Sequence, residues 1–172
     1  MINIYCTKKL EKLIGKVSKN EEIKETENNW TANLLMVNGK KCLLFIDKNT
    51  LYLFLVLGFS VKDLPNIKKL FVEEFINQLK RDEIYSAEAE NYFNEMFFEI
   101  NFFRTDNDQK TLGTVRDAEL MINHFLSDEY DKNIAVLKYQ VNYMNSVPLG
   151  GKKYKNAKEL IITELKSKGI VV

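Results

Sequence analysis

The stretch Trp30-Thr-Ala-Asn-Leu-Leu-Met-Val37, Asn38-Gly39, Lys40-Lys-Cys-Leu-Leu-Phe-Ile46 decides the fold of this 172-residue chain. An Asn-Gly pair between two apolar runs favours a tight hairpin, because a type I′ turn needs a positive φ at both central residues. The polar segment 47–50 separates these runs from a third, Leu51-Tyr-Leu-Phe-Leu-Val56. So short a turn-rich connection joins neighbouring strands, and the sequence therefore predicts a three-stranded antiparallel meander.

The second and third strands of this meander lack the alternation of a half-solvated strand. Residues 42–46 and 51–57 are nearly unbroken apolar runs. A strand with one face in water would alternate apolar and polar side chains. We therefore expect other elements to cover both faces of the sheet.

Further strands and helices flank the meander. Residues 2–6 and 97–105 have strand-like composition, and residues 133–144 alternate in the manner of another strand. Apolar side chains at helical spacing predict about five helices, beginning near Lys8, Pro65, Ala87, Val115 and Ala157. The predicted fold class is α+β, with a mainly antiparallel sheet of an N-terminal strand, the meander and two later strands.

Length and composition indicate a single globular domain over residues 1–172. Hydrophobic residues make up 45% of the chain, and no linker-like segment divides it. Lys and Arg number 25 against 24 Asp and Glu, which argues against nucleic acid as the partner. The chain has neither a signal-like N-terminus nor an apolar run near the roughly 20 residues that span a bilayer. These features predict a cytoplasmic protein that does not enter a membrane.

Two cysteines and one histidine give little basis for metal or redox chemistry. Cys6 and Cys42 lack Cys-x-x-Cys spacing and have no nearby histidine, so we predict buried free thiols. His124 has no partners recognisable from the sequence for a zinc site or a catalytic triad. We therefore predict no cofactor, no metal ligand and no catalytic residue.

The first candidate binding segment is the polar loop before the fourth predicted helix. Thr114, with Asp117 three residues on, approximates a capping box and is predicted to begin that helix. Backbone amides at a helix start attract anions. The alternatives are plain turns followed by a cap, or a calcium loop suggested by Asp106 and Asp108 that lacks the required glycine and glutamate. The candidate ligand-binding residues here are Asn107, Lys110, Thr111, Gly113, Thr114 and Arg116.

The second candidate segment precedes the last helix. Gly150-Gly151-Lys152-Lys153-Tyr154 places glycines beside lysines before a helix capped by Asn156, although the Walker pattern is absent. Lys152 and Lys153 would contact a phosphate and Tyr154 would stack on a base. The alternative is a flexible, solvated turn.

Several short motifs resemble a known family. They are Cys6-Thr-Lys-Lys-Leu10, the stretch from Trp30 to Phe45, the loop from Asn107 to Asp117 with Leu112-Gly113, and Asn145-x-x-Pro148. Together they resemble an uncharacterised bacterial and phage family, the domain of unknown function 6933. The resemblance implies one domain and a prokaryotic cytosolic setting, often a phage or mobile element, and it implies no activity.

Three classes of function remain open from the sequence. The first is a non-enzymatic binding protein for a small anionic or nucleotide-like ligand, which in a phage would sequester a host signal. The second is an interaction module that inhibits or neutralises a partner protein, favoured by aromatic residues expected at the surface. These are Phe97, Phe103, Tyr130, Tyr139 and Tyr143. A homo-oligomer is compatible with both classes.

The third class is a metal-dependent hydrolase or nuclease. It would use carboxylates such as Asp106, Asp108 and Asp117. Their spacing is not diagnostic, because carboxylates are common in turns.

Overall fold

The computed structural model describes residues 1–15, 26–127, 136–148 and 155–172. Within these ranges the strands are β1 (Ile2–Cys6), β2 (Asn29–Val37), β3 (Lys40–Asp47), β4 (Leu53–Val56) and β5 (Ile100–Arg104). The helices are α1 (Lys8–Ile14), a 3-10 helix (Val61–Asn66), α2 (Ile67–Arg81), α3 (Ala87–Met96), α4 (Gln109–Ser127), α5 (Val136–Ser146) and α6 (Ala157–Ser167). The α+β class is confirmed, with six α-helices where about five were predicted.

The antiparallel meander of β2, β3 and β4 forms as predicted. Asn38 and Gly39 have φ angles of 49° and 74°, which is the backbone that a type I′ turn requires. The turn sets Val37 opposite Lys40, and the pairing continues to Trp30 opposite Asp47. The local Asn-Gly signal therefore fixes the register of the central hairpin.

The sheet is mixed, and the prediction of a mainly antiparallel sheet was wrong. Its strand order is β4-β3-β2-β1-β5, and β1 runs parallel to both β2 and β5. Parallel neighbours need a long crossover connection, and the connection from β1 to β2 includes α1. The apolar pattern of a short strand does not specify its direction, which explains the error.

The prediction of a strand over residues 133–144 was also wrong, because Val136 to Ser146 form α5. Its buried residues are Leu137, Val141, Met144 and Asn145, which is helical spacing. Positions 137 and 141 satisfy the strand period as well as the helix period, and valine and tyrosine favour strands. Packing of α5 against β4 and α4 selects the helix.

The predicted strand over residues 97–105 is confirmed only in its second half. β5 spans Ile100–Arg104, whereas Phe97 ends α3 as its C-cap and is buried. Phe98 is 91% exposed. The alternating aromatic residues continue the strand pattern backwards into a helix end, so the pattern alone places the boundary too early.

Helices cover both faces of the sheet, as predicted. One face, which we call the aromatic face, packs against α1, α2, α3 and α6. Trp30 lies there edge-on to Phe54, Phe71 and Phe75, with ring centroids 5.2 to 5.7 Å apart. The opposite face packs against α4 and α5 through residues such as Leu44, Ala118 and Val141. Burial of each large apolar side chain contributes about 2 to 3 kcal/mol, so both faces stabilise the domain.

Candidate functional site

A crevice lies beyond the carboxyl ends of the parallel strands β1 and β5. The chain leaving β1 enters α1, whose Leu10 packs on the aromatic face. The chain leaving β5 enters α4, whose Val115, Ala118 and Ile122 pack on the opposite face. Adjacent parallel strands whose connections go to opposite faces leave a gap at their carboxyl ends, and open α/β sheets bind ligands at such gaps.

The crevice is lined by residues of α1, β2 and α4, and we call it the α1–α4 crevice. Its volume is about 530 Å³, within the range of small-molecule sites. β2 forms its floor because the pairing with β1 stops at Ala32 while β2 continues to Val37. The lining residues are Lys9, Lys12, Leu34, Leu35, Met36, Val37, Glu119, Ile122 and Asn123.

A chain of polar contacts joins the three elements beside the crevice. The Thr7 hydroxyl donates to Asn33 Oδ1 at 2.7 Å, and Asn33 Nδ2 donates to Glu119 Oε1 at 3.2 Å. Asn33 is buried, and these contacts satisfy its amide, as buried polar groups require. The same contacts fix the position of the Glu119 carboxylate on α4.

The charges lining the crevice are two ammonium groups and one carboxylate. Lys9 Nζ lies 3.5 Å from Glu119 Oε1, and the Lys9 side chain is 69% exposed. Lys12 is also exposed. Solvent screening makes the Lys9–Glu119 pair weak, so Lys9 can turn towards a ligand at little cost. The local excess of one positive charge favours an anionic ligand.

The first predicted binding segment is arranged differently from expectation. α4 begins at Gln109, and the prediction that Thr114 caps this helix was wrong. Thr114 is buried inside the helix, where its hydroxyl donates to the Lys110 carbonyl at 3.3 Å. Asp108 stands at the helix start instead, because its carboxylate accepts the Lys110 N–H at 3.2 Å and the Thr111 hydroxyl. An acidic residue just before a helix is a usual cap, and this signal was overlooked.

The start of α4 is consequently already occupied by negative charge. The hydrogen bond from Thr111 lowers the pKa of Asp108, so Asp108 is ionised at neutral pH. Lys48, whose side chain is largely buried, pairs with Asp106 and with Asp108. An anionic ligand placed here would meet both carboxylates, and like charges disfavour one another at such distances.

The candidate residues of this segment differ in their exposure to solvent. Asn107, Lys110 and Arg116 are exposed, whereas Thr111 is buried and Gly113 is partly buried. None of them is among the residues that line the α1–α4 crevice. Ligand binding by this segment stays a prediction.

The second predicted segment, with Lys152, Lys153 and Tyr154, lies outside the described residues. The same holds for Tyr130. Binding by these residues stays a prediction.

The described ranges contain no group of three or more His, Cys, Asp or Glu side chains placed to hold a metal ion. Asp106 and Asp108 face Lys48 there, and Asp117 is exposed. Among the same residues, no helix combines the length and apolar character needed to cross a membrane.

The sequence did not predict Asn33, Glu119 or Asn123 as site residues. A signal for Asn33 existed, since it is a polar residue inside an otherwise apolar strand. Such a residue needs a partner within the fold. No comparable signal marks Glu119 or Asn123, which look like ordinary polar residues of a solvated helix.

The mixed five-stranded sheet, helices on both faces and the crevice define an α+β domain with a pocket at the carboxyl end of its parallel strands. Residues 3–160 match the family described as Domain of unknown function (DUF6933), and the chain belongs to this family. The resemblance inferred from short motifs is thereby confirmed. A search of curated proteins finds no significant match.

Proposed function

We propose that this protein is a non-enzymatic binding protein whose anionic ligand lies in the α1–α4 crevice. The observation that carries the proposal is a cleft of about 530 Å³ whose apolar floor, formed by β2, is flanked by two exposed lysines of α1. Ligand sites are mostly apolar cavities with a few polar groups that fix orientation. This crevice has both features.

Apolar and charged residues of the crevice would contact different parts of a ligand. Leu34, Met36 and Ile122 would contact its apolar part, while Lys9 and Lys12 would contact its negative charge. Charge-assisted hydrogen bonds are stronger than neutral ones, so the lysines supply most of the preference for an anion. Screening by salt weakens exposed charges, and binding should therefore weaken as ionic strength rises.

The proposal includes a biological role. A protein that binds without turning over its ligand lowers the free concentration of that ligand. We propose sequestration of a small anionic or nucleotide-like molecule in the cytoplasm, in a prokaryotic or phage setting. The prediction of a sequestering protein from the sequence motivates this role, and the crevice provides a place for it.

Titration with pyrophosphate and with AMP tests the proposal, with binding followed by calorimetry and by amide NMR spectra. We expect shifts at Lys12, Met36 and Asn123, and weakening by about tenfold or more in the double variant Lys9→Gln, Lys12→Gln. The matched control is Lys68→Gln, Lys69→Gln on α2, where both lysines are exposed and away from the crevice.

Two results would overturn the proposal. One is that neither probe binds and that protein purified gently from its source releases no small molecule on denaturation in native mass spectrometry. The other is that binding is unchanged in the crevice variant while the spectra shift at Lys110 and Arg116, which would return the site to the start of α4.

A further inference from the structure

Among the described residues, nothing pairs with the strand edge that forms the floor of the α1–α4 crevice. In a two-residue hairpin the closing pair, Val37 and Lys40, exchanges both backbone hydrogen bonds. Pairs then alternate, so Leu35 also bonds to β3. The N–H and C=O groups of Leu34 and Met36 consequently point away from β3, towards the crevice.

β1 stops before it reaches these groups. The last contact on that side is the Thr7 N–H, which donates to the Ala32 carbonyl at 2.9 Å. The chain then turns into α1. Within the part of the chain that the structure describes, no residue pairs with the backbone of Leu34 or Met36. Met36 is 58% exposed, so it lies at the surface of the described part of the chain.

The outer edges of the sheet differ from this one. At β4, the Asn145 side chain accepts the Leu53 N–H and donates to the Leu53 carbonyl, both at 3.0 Å. At β5, Arg104 is exposed and pairs with Glu11 at 3.1 Å. Charged side chains and blocking groups are the usual means of protecting strand edges. The β2 edge lies instead between two lysines of α1 and the α4 residues Glu119, Ile122 and Asn123.

We infer that the crevice also binds an extended acidic segment of a partner protein, which adds to the sheet beside Leu34 and Met36. This inference rests on the proposed function, because it uses the same crevice. Strand addition gains affinity from backbone hydrogen bonds and specificity from alternate side chains. Within the described ranges, the backbone N–H and C=O groups of Leu34 and Met36 have no partner that would compete with such a strand.

The two walls of the crevice predict the pattern of the added segment. Alternate side chains of a strand point to opposite faces. One set would face α1 with Lys9 and Lys12, and the other would face Ile122 of α4. Glu119 on the α4 side already accepts a hydrogen bond from Asn33 and would repel a carboxylate there. The segment should therefore alternate acidic and apolar residues.

A short peptide of alternating glutamate and valine, with blocked ends and a fluorescent label, is the probe. We expect it to bind in fluorescence polarisation, and a lysine–valine peptide to bind about tenfold more weakly or worse, since like charges meet at the crevice. The variant Lys9→Gln, Lys12→Gln should lose the acidic peptide, while Lys68→Gln, Lys69→Gln should retain it.

Peptide N-methylation tests strand addition without changing the protein. In an added strand, either the glutamate amides or the valine amides point to β2, because side-chain direction and amide direction alternate together. Methylation of one set should weaken binding by about tenfold or more, whereas methylation of the other should not. The sensitive set also reveals the strand direction. Equal effects of the two methylations, or no effect of either, would overturn the inference.

The variant Met36→Pro provides a second test, since it removes an amide that points into the crevice and spares the β3 ladder. With folding verified by circular dichroism, it should lose the peptide, whereas Met36→Ala, which keeps the backbone N–H, should weaken peptide binding far less. Unchanged peptide binding by Met36→Pro would overturn the inference. In the unsubstituted protein, pyrophosphate binding without binding of the acidic peptide would overturn this inference and leave the proposed function standing. Failure of the peptide, of pyrophosphate and of AMP to bind, with no small molecule released on denaturation, would overturn both proposals. If the chain self-associates and this blocks peptide binding, the edge binds a second copy of the chain. That result would overturn the inference of an acidic partner segment.

Discussion

Two strand edges of the same sheet differ in whether the described residues occupy their backbone hydrogen-bonding groups. At β4 the Asn145 amide occupies the N–H and C=O of Leu53. At β2 the corresponding groups of Leu34 and Met36 face a crevice. Unpaired strand edges invite pairing with other chains, and at Leu53 of β4 a single side chain occupies both backbone groups. A side chain placed beside Leu34 as Asn145 is placed beside Leu53 would block the open edge in the same way.

The closed edge depends on a buried polar cluster. Asp82 Oδ2 accepts hydrogen bonds from the Tyr52 hydroxyl, from Gln78 Nε2 at 3.1 Å and from Asn145 Nδ2 at 3.0 Å. All four side chains are buried. Burial, with the Asp82 charge beside it, raises the pKa of Tyr52 well above its ordinary value, so Tyr52 remains a donor at neutral pH. This cluster holds Asn145 against β4.

The largest effect should come from Asp82→Ala, which breaks the cluster that holds the closed edge. It leaves three buried donors without their common acceptor, and we expect the free energy of unfolding to fall by about 3 to 5 kcal/mol. Urea denaturation measures this. The control is Glu73→Ala on α2, an exposed partner of Lys69, which should cost no more than about 0.5 kcal/mol. A similar loss of unfolding free energy in the two variants would show that the cluster does not stabilise the protein.

Two separate proline substitutions should show which backbone N–H groups of β2 bond to β3 and which face the crevice. Leu35→Pro removes a bond to β3 and should lower the free energy of unfolding by about 2 to 3 kcal/mol. Met36→Pro removes an N–H that faces the crevice and should cost less than about 1 kcal/mol. Urea denaturation of both variants makes the comparison. The reverse order would mean that the register was assigned to the wrong edge.

Opening the closed edge directly should have a smaller effect. Asn145→Ala leaves the Leu53 N–H and C=O without their side-chain partner, and we expect a loss of about 2 kcal/mol. The Leu53 amide should exchange with deuterium faster in native-state hydrogen exchange. Ser146→Ala, at an exposed position of the same helix, is the control and should leave Leu53 protected. Unchanged exchange in Asn145→Ala would show that something else closes β4.

The smallest expected signal concerns the depth of the open crevice. Cys6 ends β1 immediately before Thr7 and is fully buried, and burial raises its pKa to about 12. Burial likewise raises the pKa of Cys42. A thiol with a raised pKa stays protonated and unreactive near pH 8, so iodoacetamide should label neither cysteine in the folded protein. Both should react in urea. Labelling of folded Cys6 would show that the crevice reaches β1.

Much of the fold follows from local patterns, and the candidate site does not. Asn156 caps α6 through the Glu159 N–H, as the sequence predicted, and Ser86 caps α3 in the same way through the Ala89 N–H. These interactions join residues three apart, so a single sequence reveals them. The Glu119–Asn33 contact joins residues 86 positions apart, and no local pattern carries it. The binding site was therefore predicted at two polar, glycine-containing loops that precede helices.

The sequence alone determined the central hairpin, the covered faces of the sheet and most helix starts. Each depends on backbone preferences of one or two residues, as at Asn38-Gly39, or on apolar runs that must leave water. Only the tertiary structure decided that β1 runs parallel to its neighbours, that residues 136–146 form a helix, and that β2 extends beyond β1 into a crevice. These outcomes depend on which distant surfaces pack together, because periodicity permits more than one arrangement and the free energy of packing selects among them.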